Sequence, residues 1–295
     1  MNINSIKPNL YLVGFQKCAS SSLFEFIASH PEIEGSKPKE TFLLCDVDSP
    51  MFRSDKFLNQ NEPDWSSFFQ NKDQKIKYHL EGSVCHVTQE KALDYISKLE
   101  KTKVIFIIRD PIERFISTYN YKRNYLIKEF GNISINEYYN LVKDKKIKDD
   151  VCQKALSSGR YALHINNWQN RIGLENILVI GLNELKTNSN KLSEKLSIFL
   201  NVDNLFIENP EKKNVTSKIV YPEIHKKIMK FSRLFPSGKI RRKIGSFYRR
   251  LNSDRYLIVN QNSEQGVLKE SILKEMKNYY KVEYSNYNKF FEKNL

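Results

Sequence analysis

The stretch Leu10-Tyr-Leu-Val-Gly-Phe-Gln-Lys-Cys-Ala-Ser-Ser-Ser22 places a short apolar run directly before a loop of small and hydroxyl residues. Residues 10–15 predict a buried strand, because a short continuous apolar run ends there at turn residues. Residues 20–30 follow with apolar side chains at helical spacing, and Pro31 ends this predicted helix. A strand that turns directly into a helix points free backbone N–H groups and the positive end of the helix dipole at an anion. The stretch therefore predicts an anion site at the edge of an α/β sheet.

The loop also carries side chains that suit an anion. Lys17 adds a positive charge, and the three serines supply hydroxyl donors or a cap for the helix. The predicted anion-binding residues are Lys17, Cys18, Ala19, Ser20, Ser21 and Ser22. The loop is not a Walker A motif, because no Gly-Lys-Ser/Thr follows four residues after Gly14. From these residues alone, a serine-capped helix behind a core strand is the alternative explanation of the segment.

A second motif follows the strongest predicted strand. Lys103-Val-Ile-Phe-Ile-Ile108 is continuously apolar, as expected of a parallel strand covered on both faces. It runs into Arg109-Asp-Pro-Ile-Glu-Arg-Phe-Ile-Ser-Thr-Tyr119. Side chains at this end of a parallel strand project into the crevice where open α/β sheets bind ligands. Arg109 suits bidentate binding of a phosphate, and Ser117 adds a hydroxyl about two helical turns further on.

Strands that alternate with helices predict an α/β fold with a P-loop-type, doubly wound parallel sheet flanked by helices and a helical C-terminal extension. We expect one domain over residues 1–295, with a core at about 8–200 and a mostly helical part at about 202–295. Residues 31–74 predict loop with short helices. The other predicted elements are strands at 77–81 and 176–181 and helices at 88–99 (capped by Thr88), 111–126, 134–171 (two or three) and 192–200.

Composition limits the classes of protein that fit. Of 295 residues, 40% are hydrophobic and 12% aromatic, which is enough for a core and excludes wholesale disorder. The net charge of +14 favours an anionic partner such as a nucleotide, a nucleic acid, a sulfated or phosphorylated acceptor or a membrane face. Lys239–Arg250 predicts an amphipathic helix with a basic face, which fits a solvated surface, an anionic acceptor or peripheral membrane contact.

The cysteines and histidines predict no metal site. The four cysteines, Cys18, Cys45, Cys85 and Cys152, form no C-x-x-C motif, which argues against a zinc knuckle and a disulfide framework and fits a reducing compartment. The five histidines share no ligand spacing with thiols or carboxylates. The first residues lack the apolar core of a signal peptide, and the apolar runs are strand-sized, so the expected location is the cytoplasm.

In combination, the motifs resemble those of the PAPS-dependent sulfotransferases, where PAPS is 3′-phosphoadenosine-5′-phosphosulfate. Gly14-x-x-Lys17, His30-Pro31 and Lys37-Pro-Lys-Glu-Thr-Phe42 are similar to the segment that binds the 5′-phosphosulfate in the heparan sulfate and carbohydrate branch. The string from Arg109 to Tyr119 resembles the family's 3′-phosphate motif, and Gly159-Arg-Tyr161 is similar to its Gly-x-Tyr segment. Ala19 stands where the family usually has glycine.

This resemblance implies sulfuryl transfer from PAPS to a hydroxyl or amine of a carbohydrate or other glycan-like acceptor, by in-line displacement and without a metal. It implies that Lys17 neutralises charge on the leaving phosphate oxygen and that Glu40 takes the acceptor proton. Glu81 and His86 are further candidates on the acceptor side. Relatives often carry Glu-Lys-Ser/Thr-Pro-x-Tyr at this point, whereas this chain has Gly82 in place of the lysine and His86 in place of the tyrosine. Either this chain takes the missing charge from elsewhere or its acceptor differs.

Two other functions remain as alternatives. A P-loop nucleotide kinase shares the fold, but the chain lacks both Gly-Lys-Ser/Thr and a clear strand-terminal aspartate for magnesium. A non-catalytic nucleic-acid-binding protein is favoured only by the charge, so we expect PAPS and an acceptor as partners and no nucleic acid.

Overall fold

A parallel sheet of five strands forms the centre of the protein. The computed structural model describes residues 6–53, 55, 62–70, 75–187, 189–206, 218–219, 253–254 and 266–291. The strands are β1 (Leu10–Gly14), β2 (Ile33–Gly35), β3 (Tyr78–Glu81), β4 (Lys103–Ile108) and β5 (Ile177–Gly181), in the order β2-β3-β1-β4-β5. Leu10 pairs with Leu80 of β3 on one side and with Lys103 of β4 on the other. The predicted α/β fold with a parallel sheet flanked by helices is confirmed.

The inner strands form because their residues are apolar on both faces. All five residues of β1 are buried, as are the last five of β4, which is the pattern of strands covered by helices on each side. The predictions at 77–81, 103–108 and 176–181 are confirmed to within one residue. β2 lies where the sequence predicts loop, because three residues are too few to show an alternating pattern, and pairing with β3 defines the strand.

Helices cover the sheet. They are α1 (Ser20–Ile27), α2 (Glu90–Ser97), α3 (Pro111–Phe130), α4 (Ile135–Lys143), α5 (Asp150–Gln153), α6 (Tyr161–Ile172), α7 (Leu182–Thr187), α8 (Ser189–Leu200), α9 (Glu270–Tyr279) and α10 (Lys281–Phe291). Within the described residues, short 3₁₀ helices lie at Val84–Thr88, Ser157–Gly159 and Leu174–Asn176. A two-residue antiparallel pairing joins β6 (Lys218–Ile219) to β7 (Ser253–Asp254).

The N-terminal cap differs from the sequence prediction in α2, whereas α3 begins at the predicted residue. The predicted Thr88 cap of α2 is wrong, because the Thr88 hydroxyl donates to the carbonyl of Cys85. The Asp46 carboxylate instead accepts from the first N–H groups of α2, at 2.8 and 3.2 Å. α3 begins as predicted at Pro111, where the Asp110 carboxylate accepts from the third N–H of the helix at 2.8 Å.

The C-terminal helices pack on the body of the protein beside the second motif. Met276 of α9 and the adjacent Tyr280 are fully buried in a cluster with side chains of α3 and α4. The Tyr284 hydroxyl of α10 donates to the Asp110 carboxylate at 2.8 Å. This packing favours one unit, and the single-domain assignment stays a prediction. The basic segment 239–250 lies outside the described residues.

Within the part of the chain that the structure describes, no helix is both long and apolar enough to cross a membrane.

The strand order determines where a ligand site is expected. After β1 the chain moves to one side of the sheet to form β2 and β3, and it then crosses to the other side for β4 and β5. The crevice at the carboxyl ends of β1 and β4 is therefore the switch point at which ligands of such sheets bind. Both sequence motifs begin at that edge.

Candidate functional site

The loop after β1 has the backbone of an anion-binding turn. Lys17 and Ala19 have left-handed φ angles of 67° and 65°, and among the described residues no hydrogen bond engages the backbone N–H groups of residues 17–21. α1 starts at Ser20 with Ala19 as its N-cap and no side-chain cap bond. A serine-capped helix is thus not what forms here, and the free N–H groups remain available to an anion.

Lys17 is held at the mouth of this loop. Its Nζ lies 4.1 Å from the centre of the Tyr121 ring, within cation–π distance. Burial lowers the pKa of Lys17, and the positive charge of Arg109 lowers it further. Two cations are therefore close together, and among the described residues no ion pair joins Lys17 to a carboxylate. A bound anion would stabilise this arrangement.

The two sequence motifs meet in space through Tyr161. The Tyr161 hydroxyl donates to the Arg109 carbonyl at 2.7 Å and lies 3.9 Å from the buried Cys18 sulfur. Arg109 Nε donates to Glu113 at 3.1 Å. Ser117 is half-buried and lies one turn before Tyr121 on α3, so the two residues share one face of the helix. Tyr121 on that face contacts Lys17. The structure thus brings together the loop residues, Arg109 and Ser117.

Arg114 of the same motif does not belong to this surface. It is 2% exposed, and its guanidinium donates to the carbonyl of Ala155. Arg114 is therefore a structural residue that ties α3 to the segment after α5.

A third cation, which the sequence analysis did not assign, completes the loop. Lys39 Nζ donates to the Ser20 hydroxyl at 3.0 Å and lies 3.4 Å from a Glu40 carboxylate oxygen. Burial lowers the pKa of Lys39, although the Glu40 charge opposes this. The predicted base, Glu40, is 34% exposed and lies beside Lys39, next to the loop that follows β1. The sequence feature that could have identified Lys39 as a site residue is its position directly before Glu40.

Gly82 explains how Lys39 reaches this position. A Cβ at Gly82 would lie 2.8 Å from Lys39 Cγ and 2.6 Å from the Phe24 ring, both too close. The Gly82 N–H also donates to the Lys39 carbonyl at 3.1 Å. The aliphatic part of Lys39 therefore occupies the space above residue 82, where relatives often carry their own lysine.

Glu81 organises the neighbouring segment from inside the protein. It is fully buried, and one carboxylate oxygen accepts from the Thr41 hydroxyl at 2.9 Å, the Thr41 N–H at 3.2 Å and the Ser83 hydroxyl. Burial favours the neutral acid, but the positive charge of His86 and the Ser83 donors outweigh it, so the pKa of Glu81 lies below its usual value. Direct contact of Glu81 or His86 with an acceptor does not fit, because neither side chain is exposed.

His86 belongs to a cluster that the sequence spacing did not predict. Its Nδ1 lies 3.2 Å from Glu81 Oε2, and the sulfur atoms of Cys45 and Cys85 lie 3.7 Å apart. One ligand atom from each of Cys45, Cys85 and His86 fits within 4.8 Å. Burial would lower the pKa of His86, but Glu81 and Cys45 raise it to about 9. The fold brings together thiols that are 40 residues apart in the chain, which a search for close spacing cannot detect.

Comparison with known proteins shows what this arrangement is similar to. A family model described as "Sulfotransferase domain" matches residues 7–263. The bifunctional heparan sulfate N-deacetylase/N-sulfotransferase 1 of Caenorhabditis briggsae is 26% identical over 208 residues, covering 66% of this chain and 23% of that protein. The human protein of the same name is 26% identical over 205 residues, covering 67% and 22%. The chain thus spans less than a quarter of the length of these curated relatives.

Among solved structures, a sulfotransferase from Alicyclobacillus acidocaldarius superposes with a TM-score of 0.53 at 18% identity. The superposition covers 77% of this chain and 91% of that chain. At this level of identity the likeness supports the fold.

Proposed function

The chain belongs to the sulfotransferase family, and from that membership we propose that it transfers a sulfuryl group from PAPS to a hydroxyl or amine of a glycan-like acceptor. The observation that carries this proposal is the meeting, at one sheet edge, of two motifs that resemble the phosphate-binding motifs of this family. The loop with Lys17 and the helix start with Arg109 are linked through Tyr161. A nucleotide with phosphate groups at two positions would engage both.

The residues present fit such a donor. Free N–H groups at 17–21, with Lys17 and Lys39 beside them, suit the doubly charged phosphosulfate end. Arg109 and Ser117 suit the 3′-phosphate, and contact with a phosphate would compete with the Arg109–Glu113 pair. When bound, PAPS supplies a sulfuryl group attached to a phosphate leaving group.

Lys17 and Lys39 would act by electrostatics. Sulfuryl transfer resembles phosphoryl transfer, in which positioning and charge stabilisation account for most of the catalysis. Both ammonium groups are partly removed from water, so their attraction for a developing negative charge is stronger than in solution. We assign to Lys39 the charge that relatives often take from a lysine at the position of Gly82, because its side chain fills that space.

Glu40 would take the acceptor proton. A hydroxyl has a pKa far above 7 and must lose its proton as the new S–O bond forms, and an amine must likewise lose a proton. Glu40 lies beside Lys39, and Lys39 contacts Ser20 at the start of α1. This chain of contacts supports the proposal that the carboxylate lies beside the sulfuryl group of a bound donor.

For the acceptor we propose an anionic glycan. The relatives named above are heparan sulfate N-sulfotransferases, and the net charge of +14 suits a polyanion. An amine acceptor and a hydroxyl acceptor both fit a carboxylate base.

The test uses radiolabelled PAPS with three polysaccharides: N-deacetylated heparosan, fully N-acetylated heparosan and uncharged dextran. We expect label in one or both heparosans and little in dextran, and the ratio of the first two separates amine from hydroxyl acceptors. PAP, the nucleotide product of PAPS, should bind in calorimetry without magnesium, and ATP should not turn over. Absence of PAP binding would contradict the proposal, and ATP turnover with magnesium would support the kinase alternative.

A further inference from the structure

A metal site is suggested by the geometry of Cys45, Cys85 and His86. Two thiolates at about 2.3 Å from a tetrahedral zinc ion lie about 3.8 Å apart. The sulfur atoms of Cys45 and Cys85 are 3.7 Å apart, and the three ligand atoms lie within 4.8 Å of one another. Spacing and ligand type both match a Cys₂His set for a soft d¹⁰ ion.

The histidine is oriented as a metal ligand would be. His86 is fully buried, and its Nδ1 faces the Glu81 carboxylate at 3.2 Å. Among the described residues neither Nδ1 nor Nε2 makes a hydrogen bond of normal geometry, and the Cys45 thiol is a direct neighbour of the ring. Metal-bound histidines usually direct their other nitrogen at a carboxylate or carbonyl, which fixes the ring and makes it more basic. A buried nitrogen without a hydrogen-bond partner is costly unless something binds it.

The loop that carries Cys45 is fixed on both sides of the cysteine. Upstream, Thr41 donates twice to Glu81. Downstream, the Asp46 carboxylate caps α2, and the Asp46 N–H donates to the Gln89 side chain at 2.8 Å. Cys85 and His86 lie on the 3₁₀ helix Val84–Thr88. The three side chains are thus placed by backbone that is bonded independently of any metal.

We propose that Cys45, Cys85 and His86 bind one Zn²⁺ ion, with water in the fourth position. Cys45 is buried and Cys85 is partly exposed, so the cluster opens to solvent on one side. Zinc takes up both sulfurs as thiolates and His86 as a neutral imidazole (Im), so every proton that these groups carry beforehand is released: Zn²⁺ + 2 RSH + Im gives Zn(SR)₂(Im) + 2 H⁺, with one further proton if His86 starts as an imidazolium. The ion would link the segment that carries Glu40 to the segment that follows β3. A Cys45–Cys85 disulfide is the competing use of these thiols, and it leaves His86 Nε2 unexplained.

The experiment uses the untagged full chain, stripped of metal with a chelator under reducing conditions. Zn²⁺ is titrated in competition with a chromophoric chelator, and Co²⁺ is titrated while absorption is recorded. We expect one ion per chain, with a thiolate-to-cobalt charge-transfer band and the intense d–d bands of a tetrahedral site. Cys45→Ser and Cys85→Ser should lose this spectrum, whereas the matched control Cys152→Ser, a buried cysteine outside the cluster, should keep it.

Glu81→Gln tests the outer contact and should weaken Zn²⁺ binding by roughly 10–100-fold while the cobalt spectrum keeps its shape. Circular dichroism of each variant shows whether it is folded. A folded wild-type chain that binds neither Zn²⁺ nor Co²⁺ overturns the proposal, as does a cobalt spectrum that survives in Cys45→Ser. Rapid formation of a Cys45–Cys85 disulfide with oxidised glutathione, in a protein that takes up no metal, would assign the pair to redox chemistry instead. None of these measurements depends on sulfuryl transfer.

Discussion

The site has two walls that are built in different ways. From the proposed reaction, residues 15–22 and 109–121 are named the donor wall. Residues 36–46, together with the largely buried segment 81–86 that supports them, are named the acceptor wall. Each half of the donor wall is one continuous segment that follows a buried strand, and its expected function rests on free backbone N–H groups and nearby cations. The acceptor wall is held by side chains that converge on one buried carboxylate, Glu81, from two segments about 40 residues apart.

The difference has a physical consequence. An anion site made of backbone groups tolerates changes in the surrounding side chains, provided the loop keeps its shape. A wall made of a buried polar network depends on every partner, because a single loss leaves a desolvated group unpaired. We therefore expect substitutions of exposed groups on either wall to change the kinetics with the fold intact, and substitutions within the Glu81 network to affect stability as well.

The largest effect is expected on the acceptor wall, at the partly exposed carboxylate of Glu40. Glu40→Gln keeps the shape but removes the base, so kcat should fall by roughly 10²–10⁴-fold. PAP affinity should be nearly unchanged, because the donor wall is untouched. Single-turnover kinetics and calorimetry measure the two quantities. Glu129→Gln, at an exposed position near the end of α3, is the control and should behave as wild type. Near-normal turnover of Glu40→Gln with chemistry rate-limiting would place the base elsewhere.

The second largest effect on kcat is expected at Lys17 of the donor wall. Lys17→Ala removes a charge that contacts the leaving phosphate in the proposed reaction, and loss of such a contact lowers kcat by roughly 10²–10³-fold. Thermal unfolding should change little, since Lys17 is only partly buried and packs mainly on Tyr121. Lys128→Ala, an exposed lysine on the same helix as Tyr121, is the matched control. If the two variants have equal kcat, Lys17 has no catalytic role.

Lys39 tests whether the acceptor wall also supplies charge to the donor. Lys39→Met keeps the aliphatic part that packs over Gly82 and removes the ammonium group that contacts Ser20. A hydrogen bond to a charged group is worth about 1.5–3 kcal/mol, so we expect kcat/KM for PAPS to fall about 10–150-fold. Lys37→Met, exposed and two residues earlier, should have little effect. Equal behaviour of both variants would contradict the assignment of Lys39 as the replacement for the lysine absent at Gly82.

These two walls were not equally predictable from the sequence. β1, β4 and the loops that follow them can each be predicted from about a dozen consecutive residues. In each case an apolar run is followed directly by Gly-x-x-Lys or Arg-Asp-Pro. The contacts of Lys39 with Ser20 and of Cys45 with Cys85 arise from the pairing of β2 with β3, and β2 was too short to predict. The roles of Glu40 and Lys17 stay predictions, whereas the buried positions of Glu81 and His86 needed the three-dimensional arrangement.

A smaller effect is expected at the second half of the donor wall. Arg109→Ala should weaken PAP binding about tenfold, the low end for a charge-assisted hydrogen bond of about 1.5 kcal/mol, because Arg109 already has Glu113 as a partner. Ser117→Ala should weaken it less. Calorimetry without magnesium measures both, and Arg171→Ala, whose partner Asp94 lies on α2, is the control. Equal PAP affinity in wild type and Arg109→Ala would remove this segment from the donor wall.

The smallest effect is expected at the backbone of the loop that follows β1. Ala19 has a left-handed φ of 65°, a conformation that costs a residue with a Cβ about 1–2 kcal/mol. Glycine avoids this cost but makes the unfolded chain more flexible, which costs about 0.4–1 kcal/mol. Ala19→Gly should therefore stabilise the protein by a net ~0.5–1 kcal/mol, and a change of 1 kcal/mol shifts Tm by about 2–4 °C in a large domain. Ala28, at the other end of α1, has an ordinary φ of −72°, so Ala28→Gly should lower Tm. If both substitutions lower Tm, the loop is not strained at residue 19. If only Ala28→Gly lowers Tm, the backbone is strained at residue 19. Ala19, which stands where relatives usually have glycine, then makes the protein less stable.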